Sequence, residues 1–300
     1  MIVLDNPSQE EFKKYLNKEE PFKIINVMDK WEAYKKWNES FFVKKYGDKK
    51  FRCTDLDSKE MKIISCEDYF NYLSSDSKKL LYLRNVHFEE IDENLYDDYD
   101  FSLVNNLDFF RNIRKYEKYI VPISQYLSLR WIFIGKKNTY TNIHRDIYST
   151  TAWLGLISGK KKFYIYNKYQ TQQIDCFLIN NKKDIDDVDF EKLNSKEQEF
   201  FDTLTPSIEI LNPGEIIITP NNLYHYVKNL ENSIAITENF SYDKIDNEVL
   251  ESIKNNDEKE VYNYVLICYY LFFNNYYIKL ILSSCIFYLI IFYIYSNFFI

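Results

Sequence analysis

Two of the three histidines in this 300-residue chain stand where they could hold a metal ion. His144 and Asp146 are two residues apart in residues 140–147, a stretch typical of a β-strand, so their side chains share one face. His225 begins a second stretch of this kind. Two imidazoles and one carboxylate on a β scaffold form the facial triad that binds Fe(II) and leaves coordination positions open. The structural alternative is a strand-edge histidine paired with a nearby aspartate, and His87, which has no such context, is interpreted as structural or surface.

Short strands are the elements that must position these residues. Between residues 129 and 242, stretches with strand character alternate with turns at SGKK and NPGE, which predicts a sandwich or barrel. A polar and partly helical insert at about 170–206 interrupts them. Residues 1–128 form an N-terminal region of helices and strands that wraps the barrel, with Ser8 as an expected helix cap. Within it, residues 30–47 are expected to form one amphipathic helix.

Composition and charge narrow the classes of protein. The net charge is −7 and no long basic run occurs, so the sequence offers little support for direct nucleic-acid binding. The five cysteines are scattered without a CxxC pair, which favours reduced thiols over disulfides or a zinc site. Residues 1–16 contain no apolar core of the kind found in signal peptides. These features predict a nuclear or cytoplasmic protein.

The end of the chain, residues 243–300, is expected to be a linker followed by a hydrophobic, helical tail. From residue 261 onward the only charged residue is Lys279, and residues 280–300 are 21 uncharged residues, long enough to cross a bilayer as a helix. A membrane anchor is therefore one interpretation of the tail. The alternatives are a helix pair that packs on the β domain or forms a homodimer, and translated non-coding sequence.

Two blocks contain short motifs in a fixed order. Residues 130–166, RWIFIGKKNTYTNIHRDIYSTTAWLGLISGKKKFYIY, contain T-x-x-H-x-D and then G-x-K-[KR]-[WF]. Residues 212–240, NPGEIIITPNNLYHYVKNLENSIAITENF, contain P-G-E, H-x-V-x-N-L and I-[AS]-[IV]-T-x-N-F. Together with residues 21–53, these blocks resemble the JmjC (jumonji-C) family of 2-oxoglutarate oxygenases, closest to the arginine demethylase/lysyl-hydroxylase branch. The resemblance runs from about residue 20 to 242. It implies a mainly β fold, the double-stranded β-helix of jelly-roll or cupin proteins.

The resemblance also implies roles for individual residues. His144, Asp146 and His225 match the family's iron ligands. Lys161 matches the lysine that pairs with the distal carboxylate of 2-oxoglutarate, a role that suits an ammonium charged at neutral pH. Its neighbours in sequence should point to the opposite face and be solvated. Thr141 matches the hydroxyl that helps to hold the same carboxylate.

Other positions match less directly or depart from the pattern. Tyr82 matches a family tyrosine near the co-substrate, although an ordinary strand aromatic is an equal alternative in so aromatic a chain. Asn239 matches a polar residue beside the metal. Leu154 stands where the branch typically has an asparagine, and residues 222–224 replace its usual G-W-x. Iron and 2-oxoglutarate remain the expected ligands, while the substrate is left open.

The resemblance implies an enzyme that uses Fe(II), 2-oxoglutarate, dioxygen and ascorbate as reductant to hydroxylate a protein side chain, with lysine favoured. The alternative reaction is demethylation of methylated lysine or arginine. A non-catalytic cupin-fold binding module and a membrane-anchored scaffold, with membrane contact through residues 280–300, are alternatives from other classes. Since metal ligation requires neutral imidazoles, activity should fall as the pH drops towards the histidine pKa.

Overall fold

The computed structural model describes residues 1–108, 110–111 and 129–255. The predicted tail at 261–300 lies outside the described residues. Within them, no helix combines the length and the apolar character needed to cross a membrane.

Two β-sheets account for the strands of the described residues. Strands β1 to β7 span Ile2–Asp5, Phe22–Ile25, Lys50–Asp55, Met61–Ser65, Leu81–His87, Arg130–Gly135 and Tyr140–His144. Strands β8 to β13 span Thr151–Ser158, Lys161–Ile165, Ser207–Leu211, Ile216–Thr219, His225–Asn229 and Ser233–Phe240. The larger sheet has nine strands in the order β1-β2-β11-β8-β13-β6-β5-β3-β4, and the smaller has four in the order β10-β9-β12-β7. Apart from the parallel pair β1–β2, neighbouring strands run antiparallel.

Helices lie mainly before the barrel strands and in the insert. In the part of the chain that the structure describes, helices α1 to α9 span Gln9–Leu16, Glu32–Lys36, Glu39–Tyr46, Cys66–Ser74, Phe88–Ile91, Ser102–Asn105, Lys168–Asn181, Ser195–Asp202 and Asp246–Asn255. The insert contributes α7 and α8 between β9 and β10. The division of the chain into three regions stays a prediction.

Two hydrophobic cores lie on opposite faces of the larger sheet, because side chains alternate along each strand. In β8, Trp153 belongs to the outer core and Leu154 to the inner core; in β11, Ile216 and Ile217 divide in the same way. The N-terminal helices cover the outer core. The inner core includes Phe163 of the smaller sheet, so it lies between the two sheets. This arrangement of two packed sheets confirms the predicted double-stranded β-helix with N-terminal helices.

The predicted helix at 30–47 is wrong in one respect, because it is two helices separated by a break. Trp37 has ψ of 102°, which ends α2, and its indole donates a 2.7 Å hydrogen bond to the Asp98 carboxylate. Asn38 then caps α3 by accepting a hydrogen bond from the Phe41 backbone N–H. The hydrogen bond of the Trp37 indole and the cap at Asn38 stabilise this break more than an uninterrupted helix would be stabilised. The predicted cap at Ser8 is confirmed, since its hydroxyl accepts from the Glu11 N–H at 3.2 Å.

Candidate metal and co-substrate site

The strand pairing of the smaller sheet brings the two candidate histidines together. His144 is the last residue of β7, His225 is the first of β12, and their Cα atoms are partners in the antiparallel register. Their imidazole centroids are 4.2 Å apart. Asp146 lies beyond the end of β7 rather than within it, but its backbone is still extended, so its side chain shares the face of His144. One ligand atom from each of these three residues lies within 4.8 Å of the others.

Both imidazoles present a lone pair to the centre of this cluster. His144 Nδ1 lies 2.7 Å from the Asn142 carbonyl oxygen, and His225 Nδ1 lies 3.1 Å from the Leu223 carbonyl oxygen. Because a carbonyl only accepts, each Nδ1 carries the proton and donates it, and each Nε2 is left as a lone pair. Burial lowers the pKa of both imidazoles to about 4, and the neighbouring His225 adds to the effect on His144. Both rings are therefore neutral at physiological pH, as metal ligation requires.

The Asp146 carboxylate completes the cluster, and one of its two oxygens has no hydrogen-bond partner in the protein. Its Oδ2 is buried without a hydrogen-bond partner and lies 3.9 Å from His225 Nε2. Because that imidazole is neutral, the contact is not an ion pair. Burial raises the pKa of Asp146, while His144 and the Asn239 side chain lower it. Two imidazole nitrogens and an orphaned carboxylate oxygen at one point are a donor set that fits a divalent transition metal such as Fe(II).

Lys161 lies in the same cavity as the three candidate ligands, an inter-sheet space of about 530 Å³. Its side chain is buried, with 1% of the residue exposed. The ammonium donates to Asn229 Oδ1 at 2.6 Å and to the Tyr82 hydroxyl at 3.2 Å, both neutral acceptors. In the described part of the chain no carboxylate forms an ion pair with it. A buried ammonium without a counter-charge is costly, so this end of the cavity favours an anion.

The neighbours of Lys161 follow the predicted alternation. Lys160 pairs with Glu231 at 3.3 Å near the surface, and the Lys162 ammonium lies 4.7 Å from the centre of the Tyr164 ring. Both side chains are partly exposed. The two neighbours were predicted to lie on the opposite face and to be solvated, and they do reach the surface, whereas Lys161 is buried.

The remaining predicted site residues also line the cavity. Tyr82, with 2% of its surface exposed, directs its hydroxyl to Lys161. Thr141 and Asn239 lie on facing strands, and the Asn239 amide donates to Thr150 Oγ1 at 2.9 Å. Leu154 lines the wall where the branch typically has an asparagine. His87 is not part of the cluster.

Asn229 is a functional candidate that sequence reasoning missed. Its Oδ1 accepts from Lys161 and from Ser233 Oγ at 2.8 Å, and its Nδ2 donates to Thr139 Oγ1 at 2.8 Å. These bonds hold its carbonyl oxygen towards the ammonium. The signal was present, since Asn229 is the asparagine of the H-x-V-x-N-L motif and lies four residues after His225, on the same strand face.

Fold and cavity together define the class: a cupin-type double-stranded β-helix with a two-histidine, one-carboxylate cluster and a buried lysine between its sheets. The chain belongs to the Cupin-like domain family, whose model matches residues 7–248. The names of its relatives confirm the JmjC resemblance.

Three relatives illustrate the similarity. The chain is 26% identical over 253 residues to Arginine-specific demethylase JMJ20 of Arabidopsis thaliana, covering 76% of this chain and 53% of that protein. It is 25% identical over 248 residues to the Bifunctional arginine demethylase and lysyl-hydroxylase psr-1 of Caenorhabditis elegans, covering 79% and 59%. It is 22% identical over 233 residues to the 2-oxoglutarate and iron-dependent oxygenase JMJD4 of Mus musculus, covering 70% and 52%. The chain spans about half the length of these curated relatives.

Proposed function

We propose that this chain is an Fe(II)- and 2-oxoglutarate-dependent oxygenase that hydroxylates a protein side chain, with lysine favoured. The observation that carries the proposal is the pairing, in one cavity, of an unsatisfied metal-donor set with a buried, uncompensated ammonium. A dicarboxylate that chelates a metal at one end and needs a cation at the other fits both features. The relatives named for 2-oxoglutarate, iron and lysyl hydroxylation support the same assignment.

At the metal end, His144, Asp146 and His225 would hold the ion through two nitrogens and one oxygen. The backbone carbonyls that accept from each Nδ1 fix the imidazole orientation and tautomer before the ion arrives. When bound, iron supplies the redox chemistry that couples decarboxylation of 2-oxoglutarate to oxidation of a C–H bond. Three protein ligands on one side leave positions open for co-substrate and dioxygen, and ascorbate would serve as external reductant.

At the other end, Lys161 would pair with the distal carboxylate of 2-oxoglutarate. Asn229 and Tyr82 hold the ammonium in place through neutral hydrogen bonds, so its charge remains available to an anion. Thr141 lines the cavity beside it and would donate its hydroxyl to the same carboxylate. These residues orient the co-substrate so that its other end reaches the metal ligands.

Besides Lys161 and Asp146, the cavity lining carries charges of both signs, the cations Lys59, Arg84 and Arg145 and two carboxylates. The insert contributes two carboxylates to the lining, the exposed Asp186 and Asp189, whose Oδ1 accepts from the Tyr140 hydroxyl at 3.1 Å. Demethylation of methylated arginine or lysine is the second candidate, since the first of the relatives above is named as an arginine-specific demethylase. A nuclear or cytoplasmic location, a homodimer and membrane contact through residues 280–300 stay predictions.

The test is succinate production by the full chain with Fe(II), ascorbate and 2-oxoglutarate. We expect turnover in the parent, the loss of at least about 99% of it in His144→Ala because a ligand is gone, and near-parent turnover in the matched control His87→Ala. Mass spectrometry of a lysine- and methylarginine-containing peptide library would separate oxygen addition from methyl loss. Absence of both succinate and Mn(II)-dependent 2-oxoglutarate binding would instead favour a non-catalytic binding module.

A further inference from the structure

A carboxylate of the insert helix α7 contacts both strand ends that carry the candidate ligands. Asp175 accepts from Arg145, with Oδ2 at 3.3 Å from Nη1 and Oδ1 at 3.0 Å from Nη2. The same Oδ1 accepts from the Tyr224 hydroxyl at 3.0 Å. Arg145 stands between His144 and Asp146 in the chain, and Tyr224 directly precedes His225.

The strand register explains why one carboxylate reaches both segments. His144 and His225 are paired across antiparallel strands, so the next residue of one strand and the preceding residue of the other, Arg145 and Tyr224, also come opposite each other. Their contact is direct, since the guanidinium carbon lies 4.5 Å from the Tyr224 ring centre. Side chains alternate, so this pair turns to the outer side of the smaller sheet, which the insert covers.

Further bonds hold α7 in this position. The Tyr224 backbone N–H donates to Thr171 Oγ1 at 3.3 Å, one turn before Asp175 on the same helix. Ile174 and Leu178 of α7 are buried in the same hydrophobic cluster as Tyr224, which fixes the helix against the sheet. Asp175 and Arg145 are about one third exposed, at 33% and 39% of their side-chain surface, so the carboxylate can be changed without opening the core.

We propose that Asp175 is a positioning residue for the metal centre, a clamp that holds the segment of His144 and Asp146 at a set distance from that of His225. This inference rests on the proposed function, because it assigns those three residues to one ion. A bidentate carboxylate–guanidinium pair is directional as well as attractive, so it restrains the orientation of Arg145 and with it the two ligands on either side. The insert thereby takes part in metal binding without contributing a ligand.

The test is Mn(II) affinity of the full chain, measured from the electron paramagnetic resonance signal of the free ion. Asp175→Ala should bind Mn(II) about 10-fold more weakly, at the lower end of the range for residues that support ligands. The matched control is Asp202→Ala, which removes an exposed insert carboxylate bonded to Gln198 at 2.7 Å and should bind like the parent. Thermal melting of the metal-depleted variants should be alike.

Two further variants separate positioning from charge. Arg145→Gln removes a positive charge near the ion, so electrostatics alone predicts tighter Mn(II) binding, whereas a broken clamp predicts weaker binding. Tyr224→Phe changes no charge and should weaken binding about threefold, the worth of one ordinary hydrogen bond. We expect weaker binding in both.

Equal affinities of Asp175→Ala and Asp202→Ala, or unchanged or tighter binding by Arg145→Gln, would overturn the clamp while leaving the proposed function intact. Parent affinity that does not depend on His144 would overturn the proposed function itself. The two failures are therefore distinguishable in one titration series.

Discussion

The two ends of the cavity differ in what they leave unpaired. At the metal end, His144 and His225 commit one ring nitrogen each to a backbone carbonyl and keep the other as a free lone pair. At the far end, the Lys161 ammonium donates to two neutral acceptors, Asn229 and Tyr82. The first arrangement preserves electron pairs for a cation, and the second preserves a charge for an anion. Each end is therefore prepared for half of a chelating dicarboxylate, and each can be broken alone.

The largest effect is expected at the lysine end. Lys161→Met should weaken 2-oxoglutarate binding about 100-fold, because it removes a charged hydrogen bond from a buried site, and should leave Mn(II) affinity unchanged. Its ligand-free stability should be unchanged or higher by about 1 kcal/mol, since a buried charge disappears. Asn229 keeps Ser233 as a donor. Isothermal titration of 2-oxoglutarate with Mn(II) present, titration of Mn(II) alone and urea unfolding check the three expectations.

Lys162→Met is the matched control for this prediction, since that ammonium lies outside the cavity against Tyr164. It should bind 2-oxoglutarate like the parent. Equal losses in the two lysine variants, or a large loss of ligand-free stability in Lys161→Met, would show that Lys161 is a structural cation and that the two ends do not differ as described.

In metal-depleted protein, the metal end of the cavity should make the free energy of unfolding depend on pH. The pKa of His144 and of His225 is lowered from 6.5 to about 4 by burial, so below pH 6.5 the unfolded chain binds more protons than the folded one. The contribution of these two rings to stability should therefore fall as the pH drops from about 6.5 towards 4, by up to about 1.4 kcal/mol per pH unit for each histidine. Asp246, whose pKa is raised to about 6 by burial, acts in the opposite direction below that pH. Urea unfolding at pH 7, 6 and 5 measures the slope.

His144→Ala should lower that slope by up to about 1.4 kcal/mol per pH unit, because one of the two titrating rings is gone. A slope equal to that of the parent would show that the ring is not desolvated in solution. For the proposed oxygenase, the lowered pKa of the two histidines also moves the expected acid limb of the activity below the ordinary histidine range.

A smaller effect on 2-oxoglutarate binding tests the role of Tyr82. The equal alternative for this residue is an ordinary strand aromatic. Tyr82→Phe removes the acceptor 3.2 Å from the Lys161 ammonium and should weaken 2-oxoglutarate binding about threefold. Tyr164→Phe, which removes a hydroxyl on the outer side of the smaller sheet, serves as the control in the same titration. Identical affinities of the two variants for 2-oxoglutarate would show that Tyr82 is an ordinary strand aromatic.

Local patterns allowed much of this molecule to be predicted. Strands such as Ser233–Phe240, and the helix cap at Ser8, follow from alternation and from side-chain capping, which act over a few residues. The break at Trp37 could not be predicted in this way, because it depends on a hydrogen bond to Asp98, far along the chain. The end of β7 before Asp146 was missed, since Asp146 keeps an extended backbone and the helical turn begins only at Ile147.

The sequence by itself determined the types and spacing of the candidate ligands and the position of the lysine two residues after Gly159. It also determined, through the alternation of strand side chains, which residues lie on the same face of each strand. Only the tertiary structure decided that His225 pairs in register with His144, that Lys161 has Asn229 and Tyr82 as neutral neighbours, and that Asp175 reaches both ligand segments. The physical reason is the distance along the chain over which each effect acts. Periodicity fixes which way a side chain points, whereas lone pairs and charges are left unsatisfied or compensated by neighbours that only folding brings near.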